Sequence, residues 1–321
     1  FARVRFAERQ AAVEVATAIG LDLVPQHLRD PSRLTTRGVG QLINAARARG
    51  ATRIFVGVGN TSTVDGGVGL AADLGHEFFD ESETLIEHPV GADLDRIASY
   101  ELASRWRYGS TDPLPKVIAA CDVNNELTGK YGAARVFGPQ KGATPEQVAE
   151  LDRGLRRLAR VVEPPNGITS DDTHTGAGGG LGFGLAAFCD ADLEPGAKFV
   201  MLETGFIHNL NDAALVLTGE GRIDPQTARG KLPIAVAKEA RAAGVPTIAL
   251  VGSAGMGAEK CLDPAHASRP GGETEGGLLD YVVITPDGMP LDEALRRAPE
   301  LLEAAAEKAV REWLERRSVE N

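Results

Sequence analysis

Four glycine clusters constrain this chain more than any other feature, because each stands where an apolar, Val/Ile-rich run gives way to a helical pattern. They are Gly57-Val-Gly59 through Gly66-Gly67, Gly176 through Gly182, Thr218-Gly219-Glu220-Gly221-Arg222-Ile223-Asp224, and Gly252-Ser253-Ala254-Gly255. Glycine lets the backbone turn sharply or approach a ligand closely. In open α/β sheets, ligands bind at the carboxyl ends of the strands. Backbone N–H groups at the start of the next helix suit anions, phosphate above all. Of 321 residues, 38 are glycine, without a Gly-X-Y period, so a collagen-like chain is excluded.

The runs at 53–57, 116–120, 214–218, 246–251 and 281–285 read as short buried strands. Between them lie amphipathic helices. Thr144-Pro145-Glu146-Gln147 is a capping box opening a helix with Val148, Leu151, Leu155 and Leu158 on one face. A second helix is expected from about Leu291 to Arg316, broken or kinked at Pro299. The stretch from Leu262 to Gly277 reads as an exposed loop. Strands alternating with helices predict an α/β fold with a mainly parallel sheet, and the length predicts two domains.

The net charge of −11 argues against nucleic acid or an anionic membrane surface as partner. No apolar run approaches the roughly 18 residues of a membrane span. The first ten residues, with Arg3, Arg5, Glu8 and Arg9, do not read as a signal peptide. Three scattered cysteines, Cys121, Cys189 and Cys261, read as reduced thiols of a cytoplasmic protein. The six histidines show no metal-ligand spacing; His174, beside the Gly176 cluster, is the one worth testing.

Neither G-x-x-x-x-G-K-[ST] nor G-x-G-x-x-G occurs, which disfavours a P-loop NTPase and a Rossmann dehydrogenase. Any single glycine is explained as well by tight packing. The polar residues inside the clusters shift the balance towards phosphoryl transfer, which needs cations, carboxylates for Mg²⁺ and a held hydroxyl. Lys141, Arg222 and Lys231 supply the cations. Asp65, Glu220 and Asp224 supply carboxylates, although Asp65 reads almost equally well as a helix cap and Glu220, Arg222 and Asp224 as a structural ion-pair set. Asn60, Thr61, Ser62 and Thr63 crowd one strand exit, and Asp122 and Asn124 follow Cys121 at another; Asp122 divides evenly between ligand binding and loop hydrogen bonding.

The runs Gly59-Asn-Thr-Ser-Thr-Val-Asp-Gly-Gly67, Val136-Phe-Gly-Pro-Gln-Lys-Gly-Ala-Thr144, Gly176-Ala-Gly-Gly-Gly-Leu-Gly182 and Thr218-Gly-Glu-Gly-Arg-Ile-Asp224, continued by Gln226-Thr227 and Gly230-Lys231, resemble the bacterial glycerate kinases of type 1. The resemblance covers nearly the whole chain. It implies phosphorylation of D-glycerate by ATP with Mg²⁺, usually giving 2-phosphoglycerate, in a protein that could be a homodimer. It further implies two α/β domains with the active site in the cleft between them. Residues 1–205 would form the larger, restriction-endonuclease-like domain, and 206–321 a flavodoxin-like domain.

On that resemblance Asp65, Glu220, Asp224 and Arg222 would be catalytic, with Glu220 and Asp224 on the metal. Lys141, Lys231, Gly219, Gly221, Gly176 and Gly178 would hold the nucleotide phosphates. Asn60, Thr61, Ser62, Thr63, Asp122 and Asn124 would meet the substrate. Two departures matter. Val64 stands where the family pattern has Asn, a contact that Asn60 could replace. The family's opening strand and Asp-Ser-Phe-Lys-Gly motif lie upstream of Phe1, and a chain without those strands is expected to be inactive. A kinase for another small hydroxy acid and a non-catalytic ligand-binding homologue are the alternative readings.

Overall fold

The computed structural model describes residues 4–102, 114–225, 227–229, 231–263 and 276–320. It divides into two compact units, Phe1–Gly196 and Ala197–Asn321.

The first unit is built on a five-stranded sheet. An antiparallel hairpin, β1 (Val4–Ala7) and β2 (Gln10–Glu14), leads through α1 (Arg37–Ala48) to β3 (Arg53–Val58). After α2 (Val68–Asp73), β4 (His76–Phe79) and β5 (Ser99–Leu102) form a separate antiparallel pair. The chain returns to the main sheet as β6 (Lys116–Cys121) and, beyond α3 (Pro145–Val161) and α4 (Ala177–Cys189), as β7 (Asp192–Pro195). The order is β1-β2-β3-β6-β7, parallel from β2 onward.

The reasons are local. In β3, Ile54, Val56 and Val58 are buried and alternate with more exposed neighbours, the period of a pleated strand. The capping box of α3 is present: the backbone N–H of Gln147 donates to Thr144 Oγ1 (3.3 Å), and Thr144 N–H donates to Gln147 Oε1 (2.9 Å). Leu151, Leu155 and Leu158 of α3 are buried, and Val148 half-buried. A Cβ on Gly66 would stand 2.5 Å from Leu158 Cδ2, and one on Gly180 would stand 3.1 Å from Leu155 Cδ2. The helix that carries the clearest periodicity therefore presses directly on the two glycine-rich turns beyond the sheet.

The second unit holds three parallel strands in the order β10-β9-β8: β8 (Val216–Ile223), β9 (Thr247–Ala254) and β10 (Asp280–Val283). Helix α5 (Leu232–Ala242) covers one face, where Ile234 and Ala237 meet Ala249 and Val251. After α6 (Leu291–Arg296), α7 (Ala298–Glu320) covers the other, where Ala305 and Ala309 meet Ile248 and Leu250. The alternate residues of β9 thus feed two apolar layers, as a two-sided parallel sheet requires. The expected break in the last helix falls at Arg297, two residues before Pro299, because proline is accommodated in a first helical turn. None of the described helices is long and apolar enough to cross a membrane.

Two expectations need correction. Strands β8 and β9 run on through Ile223 and Ala254, so Gly219, Glu220, Gly221 and Arg222 lie within a strand rather than beyond it. Parallel pairing of β8 with β9 continues to Ile223, which keeps the glycine-rich end extended. Of the loop expected at 262–277, residues 264–275 lie outside the described residues. Its ends are not exposed: Leu262 bridges to Leu278, and Asp263, Gly276 and Gly277 are buried, Asp263 against Arg241 at 3.2 Å.

Candidate functional site

In the first unit the candidate residues converge on the loop between β3 and α2. Thr61, Ser62, Thr63 and Asp65 are all buried, with Asp65 wholly inaccessible. Asp65 Oδ2 accepts hydrogen bonds from the backbone N–H and the hydroxyl of Thr36 (2.7 and 2.8 Å), and Oδ1 accepts from Gly67 N–H (3.1 Å). Thr36 Oγ1 in turn accepts from Leu70 N–H (2.9 Å). Thr36 occupies the N-cap position of α1 without capping it, because its hydroxyl ties Asp65 to α2 instead. Burial pushes the Asp65 carboxyl above the usual aspartate range, and the donors from Thr36, Gly67 and Gly69 oppose that push.

Lys141 approaches the same loop from the turn before α3. Its Nζ donates to Thr61 Oγ1 (2.8 Å) and to the carbonyl of Thr63 (2.7 Å), and the side chain is buried. The Gly176 cluster supplies the third wall. Gly178, Gly179 and Gly180 all adopt left-handed backbone (φ 64, 78 and 89°), which non-glycine residues adopt rarely. A Cβ on Gly179 would stand 2.0 Å from the Thr63 carbonyl oxygen and 3.0 Å from Lys141 Nζ. The carbonyl of Gly179 accepts from Gly66 N–H (3.2 Å).

Burial pulls the Lys141 ammonium down to about 7, against the upward pull of the Asp65 charge. Between about pH 7 and 10.5 the unfolded chain therefore holds a proton that the folded chain has lost. Over that window the unfolding free energy of the wild type should rise with pH, relative to Lys141→Met, by up to about 1.4 kcal/mol per unit. Urea titrations at pH 7 and 9.5 check this; parallel behaviour of the two proteins would refute it.

Thr63 Oγ1 is buried and has no hydrogen-bond partner among the described residues. Thr63→Val keeps the shape without the hydroxyl, so its Tm should stay level or rise, by the equivalent of about 1 kcal/mol. A clear fall in Tm would show that the hydroxyl is engaged. Ser62 Oγ donates to the Ile19 carbonyl (2.9 Å). Asn60 is exposed at φ 48°, and its amide donates to Asp22 Oδ2 (2.8 Å). Asn60 thus points to Asp22, while Val64 is fully buried in the core and fills its position with apolar packing.

The remaining first-unit candidates lie at the β6 exit. Asp122 and Asn124 are exposed, and Gly176 fits under the Glu126 carbonyl, where a Cβ would stand at 2.2 Å. His174 is buried at φ 73°, and its Nδ1 lies 2.8 Å from the Val123 carbonyl, a contact in which only a ring N–H can donate. Cys121, Cys189 and Cys261 are free and buried, with burial raising the first two thiols to about 12.

In the second unit the charged residues gather at the carboxyl ends of β8 and β9. Glu220 and Arg222 sit two residues apart, so both project from one face of the strand. Glu220 is half-buried and Arg222 exposed, and neither makes an ion pair among the described residues. A Cβ on Gly255 would stand 3.1 Å from an Arg222 guanidinium nitrogen and 3.3 Å from Asp224 Cβ, which places both side chains against that glycine. Asp224 Oδ1 accepts from Thr227 N–H (3.2 Å), and Thr227 is fully buried. Lys231 is exposed at the N-cap of α5. Gly221 is open, with nothing within 4 Å of a Cβ, while Gly219 meets the Leu250 carbonyl at 3.4 Å. Gln226 and Gly230 lie outside the described residues. Among the described residues no three His, Cys, Asp or Glu side chains form a metal cage.

Sequence reasoning missed Thr36, whose signal was only a threonine ahead of a helix, and Gly66 and Gly179, whose close contacts join segments distant in the chain.

Parallel strands with charged carboxyl ends in one unit, and a buried polar loop walled by glycine in the other, place this protein among the α/β enzymes that handle small anionic ligands. Residues 2–314 match the glycerate kinase family, and the chain belongs to that family of phosphotransferases with an alcohol acceptor. It is 40% identical over 302 residues to a glycerate kinase of Bacillus subtilis (strain 168), covering 93% of this chain and 74% of that protein. It is 39% identical over 249 residues to the glycerate 2-kinase of Escherichia coli (strain K12), covering 76% of this chain and 64% of that protein. A crystal structure from Salmonella typhimurium LT2, assigned as glycerate kinase 2, matches with a TM-score of 0.72 at 36% identity, over 95% of this chain and 77% of that one.

Proposed function

We propose that the protein transfers the terminal phosphoryl group of ATP to D-glycerate, giving 2-phosphoglycerate, in the cytoplasm. Beyond family membership, the observation that carries this reading is the state of Glu220 and Arg222. A structural ion-pair set would neutralise itself, whereas these two charges stand on one strand face unpaired among the described residues. The 2-position follows the relative in Escherichia coli, whose name specifies it.

In the reaction a glycerate hydroxyl oxygen attacks the terminal phosphorus as the bond to ADP breaks. The hydroxyl proton passes to a carboxylate of the Glu220–Asp224 pair, and Arg222 and Lys231 offset charge on the phosphoryl oxygens. The donor set suits Mg²⁺, which takes one or two carboxylates and completes its shell with water and phosphate oxygens. When bound, the cation would neutralise phosphate charge. Thr61, Ser62 and Thr63 form the loop assigned to glycerate, and Asp65 anchors it.

ADP release by the full-length gene product with ATP, Mg²⁺ and D-glycerate tests this, and phosphorus NMR places the phosphate on O2 or O3. Turnover only with another hydroxy acid would overturn the substrate. A Tm shift with glycerate or ATP and no turnover would mark a binding homologue.

A further inference from the structure

We propose that Lys141 is a positioning residue for glycerate: its terminal amine, held between the Thr61–Thr63 loop and the Gly178–Gly180 turn, sets the substrate loop rather than contacting ATP phosphate. This rests on the assignment of that loop to glycerate.

The geometry separates the two roles. A lysine that binds phosphate needs its Nζ at a surface the nucleotide can reach. Here Nζ is enclosed, donating at 2.8 Å to Thr61 Oγ1 and at 2.7 Å to the Thr63 carbonyl, two residues apart on one loop. A compact ammonium with several donors suits such a bridge. The opposite wall is Gly179, where a methyl group would crowd both the Thr63 carbonyl and Nζ. Asp65, at the end of the loop, acts on the ammonium through its charge and anchors the loop's far side through Thr36 and α2. The loop is thus fixed at both ends by buried polar contacts. Removing the ammonium frees the Thr61 and Thr63 end while leaving the Asp65 end tied.

The enclosure also explains why a polar amine is kept in the interior. Burial works against the ammonium, so an apolar side chain of equal length would suit the core better if packing were all that mattered. The amine is kept as the group whose N–H donors align two oxygens of the loop assigned to the substrate.

Lys141→Met in the full-length gene product tests the assignment, with KM read separately for the two substrates. The glycerate KM should rise at least tenfold while the ATP KM stays within about twofold. A rise confined to ATP would show a phosphate ligand, and two unchanged KM values would show a residue of packing alone; either overturns the proposal. Should Lys141→Met fail to fold, Thr61→Val, which removes one acceptor, should shift the same KM in the same direction by a smaller factor. No turnover by the wild type would instead defeat the assigned reaction. Amide exchange would then decide the positioning role: faster exchange at residues 61–66 in Lys141→Met supports it, and unchanged exchange refutes it.

Discussion

Gly179→Ala should lower the unfolding free energy by about 3 kcal/mol or more, a large loss for the addition of a single methyl group. The backbone at Gly179 is left-handed (φ 78°, ψ 33°), which costs an L-residue about 1–2 kcal/mol. The added methyl would also lie 2.0 Å from the Thr63 carbonyl oxygen. That oxygen is backbone and accepts from Lys141, so relief requires the whole loop to move, a further 1–3 kcal/mol or so on the scale of overpacked cores. Gly167→Ala is the control: its φ is 75° and nothing lies within 4 Å of the new methyl group. It should lose only the conformational part. Urea unfolding of both variants decides the matter, and equal losses would mean that the close packing at Gly179 is relieved without cost.

Glu220→Gln should lower kcat/KM for glycerate well over tenfold, more than about 1.4 kcal/mol of transition-state stabilisation. The substitution keeps the size of the side chain and removes its charge. Glu220 is half-buried on β8 and engages no partner among the described residues, so little of the fold depends on that charge. Circular dichroism and Tm should accordingly match the wild type. A variant with near-normal turnover would remove Glu220 from the reaction and leave Asp224 as the carboxylate of that strand end.

The elements that could be read from the chain are those whose causes are local. Thr144, Pro145 and Gln147 announce the start of α3 because a capping box closes within four residues. The strand cores at 54–58, 117–121 and 247–251 announce themselves by β-branched runs. The antiparallel hairpins β1–β2 and β4–β5 gave no comparable signal, since their residues, such as Arg5, Arg9 and Glu77, are mixed in polarity and stabilised by pairing. The sequence ends β8 and β9 too early because glycine weakens strand propensity, whereas the parallel ladder holds Gly219 and Gly221 extended.

The site divides in the same way. The residue types, their clustering beside strand ends and their order along the chain were legible, and with them the family, because ligand-facing loops are short continuous segments. What each side chain does there was not. Lys141 reads as a phosphate-binding cation flanked by glycine, and the structure buries it against Thr61 and Thr63, about 80 residues away, which the local sequence does not announce. Asp65 reads as a helix cap or a catalytic carboxylate and is held by Thr36, 29 residues upstream. The glycine clusters themselves are evident in the sequence. Only the tertiary structure decides which glycines are required by close approach, as at Gly66, Gly179 and Gly180, and which stand open, as at Gly221. A missing side chain acquires meaning from what occupies the space in its stead, and those atoms come from elsewhere in the chain.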